Sequence, residues 1–258
     1  MLQRETTMTS HTFATFIVLA LALAPFARGQ AADLQIIAGG GITGPMNDLA
    51  RQFETASGHK LAIRYGTTPE LIKMATSGVP FDLAVTPREV FRDEAAKAKF
   101  VPGPTADIAR VGLGIAVRAG AAKPDVATPE ALKQTLLKAP SVATIPASAA
   151  GAQVLRLFER LDIAGPMQAK IKPLPGPAPM IAAVANGEAE LGVFLINVLT
   201  APGLDVVGPV PAELNQEIFY IAAVTTDSKQ AEAAKAFIAF LQTPAAKAVI
   251  KGKGMTPS

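Results

Sequence analysis

The sequence predicts an α/β fold with parallel strands, preceded by an export segment. Three observations carry this reading. Short apolar runs alternate with helical patterns along most of the chain. Half of the 258 residues are hydrophobic and only 17% are charged, enough for a sizeable core in one large domain or two small lobes. The first three dozen residues differ in kind from the rest.

That first segment places Arg4 before an apolar run from Phe13 to Ala24, a Pro25 break, and small residues around Gly29-Gln30-Ala31. These are the n, h and c regions of a secretory signal over residues 1–31, with cleavage expected after Ala31 and Gly29 as the second choice. The alternative, an uncleaved anchor, needs roughly 20 apolar residues, and this run is shorter. Nothing later in the sequence is apolar enough to span a bilayer, so the mature chain is expected to be soluble.

Residues 34–38 read as a buried strand. The next helix puts Met46, Leu49, Ala50 and Phe53 on one face and stops at Gly58. Residues 60–65 form a second strand, 69–78 a short helix and 82–85 a third strand, a βαβαβ unit that implies parallel pairing. RVGLGIAVR, residues 110–118, alternates as one strand, and a capped helix lies within 124–138. A second α/β group follows, with a strand at 142–145, helices over 149–162 and 178–186, and a strand at 191–196. The chain closes with a strand at 217–224 and helices over 228–242 and 244–251.

Several function classes fall away. No cysteine is present, which removes disulfides, thiolate metal sites, a cysteine nucleophile and a lipid-modified cysteine. Without residues 1–31, which hold Arg4, Arg28 and Glu5, the 24 basic and 21 acidic side chains become 22 and 20. That balance gives no reason to expect nucleic acid as a partner. His59, the one histidine of the mature chain, sits in an expected turn and reads as a solvated loop residue. Glu188 and Glu190 read as a solvated turn. No G-x-S-x-G and no metal-binding spacing is found, so no catalytic residue, metal or cofactor is expected and a binding protein is favoured over an enzyme.

Three helix starts are preceded by small or hydroxyl residues: Gly41-Ile42-Thr43, Thr67-Thr68-Pro69 and Ser148-Ala149-Ala150-Gly151. The first N–H groups of a helix lack intrahelical partners and its dipole favours negative charge, so several such ends at one cleft could hold an anion. Ordinary capping is the plain alternative, because Thr-Pro also opens the helices at Thr128-Pro129 and Thr243-Pro244. Gly39 to Gly44 also match G-x-G-x-x-G after a strand and before a helix, which keeps a dinucleotide enzyme in view. The end of the second strand carries Arg64-Tyr65 in place of the acidic residue that a ribose would need.

The ordered features resemble the extracytoplasmic solute-binding proteins of ABC transporters, in the molybdate-binding-protein-like branch. The resemblance rests on the opening strand with its small-residue loop and MNDLARQFETASG, on RYGTTPELIKMATSGVPFDLAVTP, on NGEAELGVF and on AKAFIAFLQTPAAKAVIKGKGM. It implies a two-lobed type II periplasmic binding protein, each lobe a mixed, mainly parallel sheet flanked by helices, with two crossover strands as hinge. Lobe one would span 32–112, lobe two 113–200, and residues 201–258 would return to lobe one. The resemblance also implies a periplasmic location, a monomer, and an ABC permease as partner. The family's molybdate site uses two hydroxyl residues, backbone amides of lobe two and a tyrosine. By the resemblance those positions fall on Gly41, Thr68, Ala150, Pro177 and Leu195. Gly41 and Leu195 lack the hydroxyl and Pro177 lacks an N–H. Each missing group is worth about 1.5–3 kcal/mol to a charged ligand, which points away from molybdate and toward a larger anion such as a small organic acid. The expected ligand contacts are Gly40, Gly41, Thr67, Thr68, Ser148, Ala150 and Asn197, the last because it follows the strand with the tyrosine position. A sensor subunit for a membrane receptor and an exported dinucleotide enzyme are the alternatives.

Overall fold

The computed structural model describes residues 31–258 except Pro104, so the expected signal segment lies, apart from Ala31, outside the described residues. β1 (Asp33–Gly39) leads through one 3-10 turn into α1 (Thr43–Ser57), β2 (Lys60–Gly66), α2 (Thr68–Thr76), β3 (Leu83–Pro87), α3 (Glu94–Lys97) and β4 (Ala106–Val111). Next come β5 (Leu113–Arg118), α4 (Pro129–Lys138), β6 (Val142–Thr144), α5 (Ala149–Arg160), α6 (Ala164–Gln168), β7 (Ile171–Pro173), α7 (Pro177–Ala185), β8 (Leu191–Leu195), α8 (Ile196–Leu199) and β9 (Leu204–Pro209). β10 (Ile218–Val224), α9 (Ala231–Leu241), α10 (Pro244–Gly252) and β11 (Thr256–Pro257) end the chain.

The strands form two sheets, in the orders β11-β4-β10-β3-β1-β2 and β7-β6-β8-β5-β9. β1 is buried on both faces, as a strand with helices on each side must be. Leu34, Ile36 and Ala38 pack with Met46, Leu49 and Phe53 of α1, and Ile37 packs with Leu71 of α2 on the other face. Gly58 ends α1 in the left-handed region, with φ 78°, where a side chain would be strained. Asp82, in the SGVPFDLAV segment, is buried because its carboxylate accepts from the Gln35 N–H and the Ser228 hydroxyl, which ties β1 to the loop after β10. His59 is not a free loop residue: its Nδ1 accepts from the Ala32 N–H and its ring stacks on Phe53.

Three expectations need correction. The pairing is evenly mixed rather than mainly parallel. β1 is parallel to β2 and β3, and β6 to β7 and β8, whereas β10, β4 and β11 in one sheet and β5 and β9 in the other pair antiparallel. The single strand expected over 110–118 is two, because the chain leaves the first sheet at Gly112 and enters the second. Residues 204–209, expected in the returning segment, pair with β5, so the return follows Pro209. β9 was hidden by its short, mixed LDVVGP sequence.

The two crossings lie side by side at Gly112 and at residues 210–217. Asn215 joins them: its Oδ1 accepts from the Leu113 N–H at 2.9 Å, and its Nδ2 reaches the Leu113 and Val210 carbonyls. A Cβ at residue 112 would lie 2.5 Å from that Nδ2, so only glycine admits the contact. Arg110 pairs with Glu217 across the same place, and Arg160 at the end of α5 donates to the Glu213 and Leu214 carbonyls. Among the described residues no single helix is long and apolar enough to cross a membrane. Asn215→Ala is expected to lower the unfolding free energy by about 1–3 kcal/mol, since it strips the partner from a part-buried N–H. Urea denaturation measures this, and an unchanged midpoint would mean that water replaces the asparagine.

Candidate functional site

Between the two sheets lies a cavity of about 670 Å3, within the range of small-molecule sites. Its wall contains all seven residues singled out from the sequence: Gly40, Gly41, Thr67, Thr68, Ser148, Ala150 and Asn197. Four helix starts meet there. They belong to the 3-10 turn that opens α1, to α2, to α5 and to α7, the last through Gly176, Pro177 and Ala178.

The hydroxyl residues divide into caps and a bridge. Thr67, not Thr68, caps α2, in a reciprocal capping box where Glu70 accepts from the Thr67 N–H at 2.7 Å. Ser148 caps α5, accepting from the Gly151 N–H at 2.9 Å. Thr68 is freed from capping, and its hydroxyl accepts from the Ala149 N–H at 2.9 Å across the cleft. Asn197, from the second sheet's side, donates to the Gly41 carbonyl at 2.8 Å. These two bonds join the walls of the cavity. The N–H groups of Ala150 and Ala178, each second in its helix, have no hydrogen-bond partner among the described residues. Pro177 and Pro179 carry no N–H, so Ala178 is the one donor in the first three positions of α7.

The glycine cluster has a packing cause. A Cβ on Gly41 would lie 2.2 Å from the Tyr220 hydroxyl oxygen and 2.4 Å from Leu195 Cδ1, and one on Gly39 would lie 2.8 Å from the Tyr220 ring. In a dinucleotide fold the second glycine of G-x-G-x-x-G brings backbone to a pyrophosphate. Here that glycine, Gly41, is buried against a tyrosine and a leucine.

Tyr220 was missed in the sequence, where the tyrosine position fell on Leu195. It arrives from β10, antiparallel to β3 and opposite Pro87, and it lines the cavity. The one available signal was a lone phenol in the otherwise apolar run IFYIAAV. Burial first, and then the nearby Glu89 carboxylate, push its pKa far above the ordinary 10. Tyr220 is therefore a neutral donor at any physiological pH. Tyr65 also lines the cavity and donates to Asn47 Oδ1, and burial raises its pKa to about 12. Glu70 and Lys253 are the charged residues in the wall, among the described residues.

Comparison with known proteins agrees with this architecture. The family model for bacterial extracellular solute-binding proteins matches residues 34–256. The chain belongs to that family. The solute-binding protein is 33% identical to an aconitate isomerase from a Pseudomonas species, over 93% of this chain and 94% of that one. It is 27% identical to the molybdate-binding protein ModA of Azotobacter vinelandii, over 87% and 90% of the two chains. The solved periplasmic molybdate-binding protein of Azotobacter vinelandii superposes with a TM-score of 0.70 at 21% identity, covering 86% of this chain and 98% of that one. The two-lobed fold implied by the resemblance is thus the fold of this solute-binding protein.

The chain has two tyrosines and no tryptophan, so ultraviolet titration at 295 nm reads Tyr65 and Tyr220 alone. The native protein is expected to show no phenolate rise through pH 10, where the urea-unfolded chain titrates. Because both folded pKa values are raised, the unfolded chain gives up its protons first as pH rises, so their contribution to stability is whole below pH 10. Tyr65's share is lost between about pH 10 and 12 and Tyr220's at higher pH. A native midpoint near 10 for either group would contradict its burial.

Proposed function

We propose that this solute-binding protein captures a small organic acid with two or three carboxylates in the cleft between its lobes, in the periplasm, and delivers it to an ABC permease. The observation that carries this reading is the cavity of about 670 Å3 at whose wall four helix starts meet and two helix N–H groups have no partner among the described residues. Helix N-termini suit anions, and the volume far exceeds that of one tetrahedral oxyanion. The wall is otherwise rich in apolar contacts, with Phe194, Leu195, Ile145 and Ile181 beside the polar groups, which suits a carbon skeleton. The absent hydroxyl at Gly41 and the absent amide at Pro177 weigh against molybdate in the same direction.

A second reading is favoured by the 33% relative named as an aconitate isomerase. In it the cleft acts on the acid it holds. Moving a double bond along such an acid takes a proton from one carbon and returns one to another, which requires titratable groups at the ligand. Tyr220, Tyr65, Glu70 and Lys253 are the candidates in the wall.

A thermal-shift panel of cis-aconitate, trans-aconitate, citrate, molybdate and NADP separates these readings. A true ligand at a hundredfold excess over its dissociation constant adds about 2.7 kcal/mol, or roughly 5–10 °C for a chain of this size. The rise is expected with a polycarboxylate and not with molybdate or NADP; a rise with molybdate alone would sink the organic-acid reading. Proton NMR of cis-aconitate with the protein then tests the isomerase reading: appearance of trans-aconitate supports catalysis, and an unchanged spectrum supports capture alone.

Thr68→Val, which keeps the shape and loses the hydroxyl bridging to Ala149, is expected to weaken binding of that acid about tenfold, about 1.4 kcal/mol. Titration calorimetry reads this. Unchanged affinity would confine Thr68 to local packing.

A further inference from the structure

We propose that Lys253 is the specificity-determining cation of the cleft, releasing Asp48 to take a carboxylate that lies beyond reach of the helix N-termini, so that the site selects tricarboxylates over dicarboxylates. This deepens the organic-acid reading and rests on it.

Lys253 caps the C-terminal end of α10 and is the one cationic side chain lining the cavity, among the described residues. Its Nζ lies 2.8 Å from Asp48 Oδ2 on α1, and both side chains are partly exposed; Lys253 lines the cavity and Asp48 stands outside the lining. Asp48 has a second cation, Arg51, on its other oxygen. The hydrogen bond from Lys253 holds the Asp48 carboxyl below its usual range, with a further contribution from Arg51. Asp48 therefore keeps a counter-charge when Lys253 turns away, and the exchange of one carboxylate for another leaves no charge unpaired.

The turn after Lys253 is made by Gly254, whose φ of 79° favours glycine, and it lies beside Asn197. The lysine thus sits where a segment of the first lobe meets the second. The other charge in the wall among the described residues, Glu70, is held in the Thr67 capping box and repels a carboxylate placed near α2. A tricarboxylate is consequently oriented, with one carboxylate at the Ala150 N–H, a second at the Ala178 N–H and the third at Lys253, whereas a dicarboxylate fills the two N–H positions and makes no use of the lysine.

The test uses the mature protein and two probes, trans-aconitate and cis-glutaconate, the latter being the same skeleton, with the same double-bond geometry, without its central carboxylate. Lys253→Met is expected to weaken trans-aconitate by about tenfold or more in calorimetry, and cis-glutaconate by less than about threefold; Lys253→Arg should recover most of the loss. Asp48→Asn frees the lysine and is expected to keep or raise trans-aconitate affinity, whereas a merely structural role for the ion pair would make Asp48→Asn as damaging as Lys253→Met. Equal losses for both probes, or no loss, overturn the assignment of Lys253 while leaving the organic-acid reading standing. If neither probe nor citrate binds the wild-type protein, both fall together.

Discussion

The cleft depends on one place where the backbone has no side chain. Because Gly41 carries no Cβ, the Tyr220 ring from the returning strand and Leu195 from the second sheet can both close on it. Any larger residue would force the Tyr220 and Leu195 side chains to shift. The same contact brings the start of α1, the end of β8 and the phenol of Tyr220 into one wall, where Asn197 can reach the Gly41 carbonyl. A motif that reads as a nucleotide fingerprint is, in this chain, a steric allowance for an aromatic ring.

The second constraint lies at the crossings. Gly112 and Asn215 hold the two connections together, and Arg160 secures the second to α5, whose other end faces the ligand cavity. The helix that offers Ala150 at its start is thus anchored at its finish to the very segment about which the lobes would turn. A turn of one lobe about that segment would carry the start of α5 with it.

Much of this was legible from local chemistry. The α1 face of Met46, Leu49, Ala50 and Phe53 is buried as its spacing implied, and the caps at Ser148, Thr128 and Thr243 hold the helix starts they precede. What escaped was non-local. RVGLGIAVR alternates without a break, and only the packing of Asn215, about a hundred residues later in sequence, shows why the chain must change sheets at Gly112. Thr67 and Thr68 are indistinguishable as caps until Glu70 is seen to pair with the first and Ala149 with the second. The place of Tyr220 follows from the antiparallel pairing of β10 with β3, which no periodicity encodes. Lys253 went unnoticed because the turn after it, at Gly254, meets Asn197 of the other lobe, a contact that no local pattern encodes.

The nesting of one sheet inside the other also sets an order of assembly. β4 and β10 are partners, with Val111 opposite Ile218, so everything between them is an insertion whose two ends emerge together. The inserted sheet has all five of its strands once residue 209 has been made. The enclosing sheet still lacks β10, the strand that joins β3 to β4, and must keep a gap between them until the last part of the chain arrives. In synthesis from the N-terminus the second lobe can therefore mature while the first is unfinished, and the hydrophobic edge of β3 stays open to wrong partners for that interval.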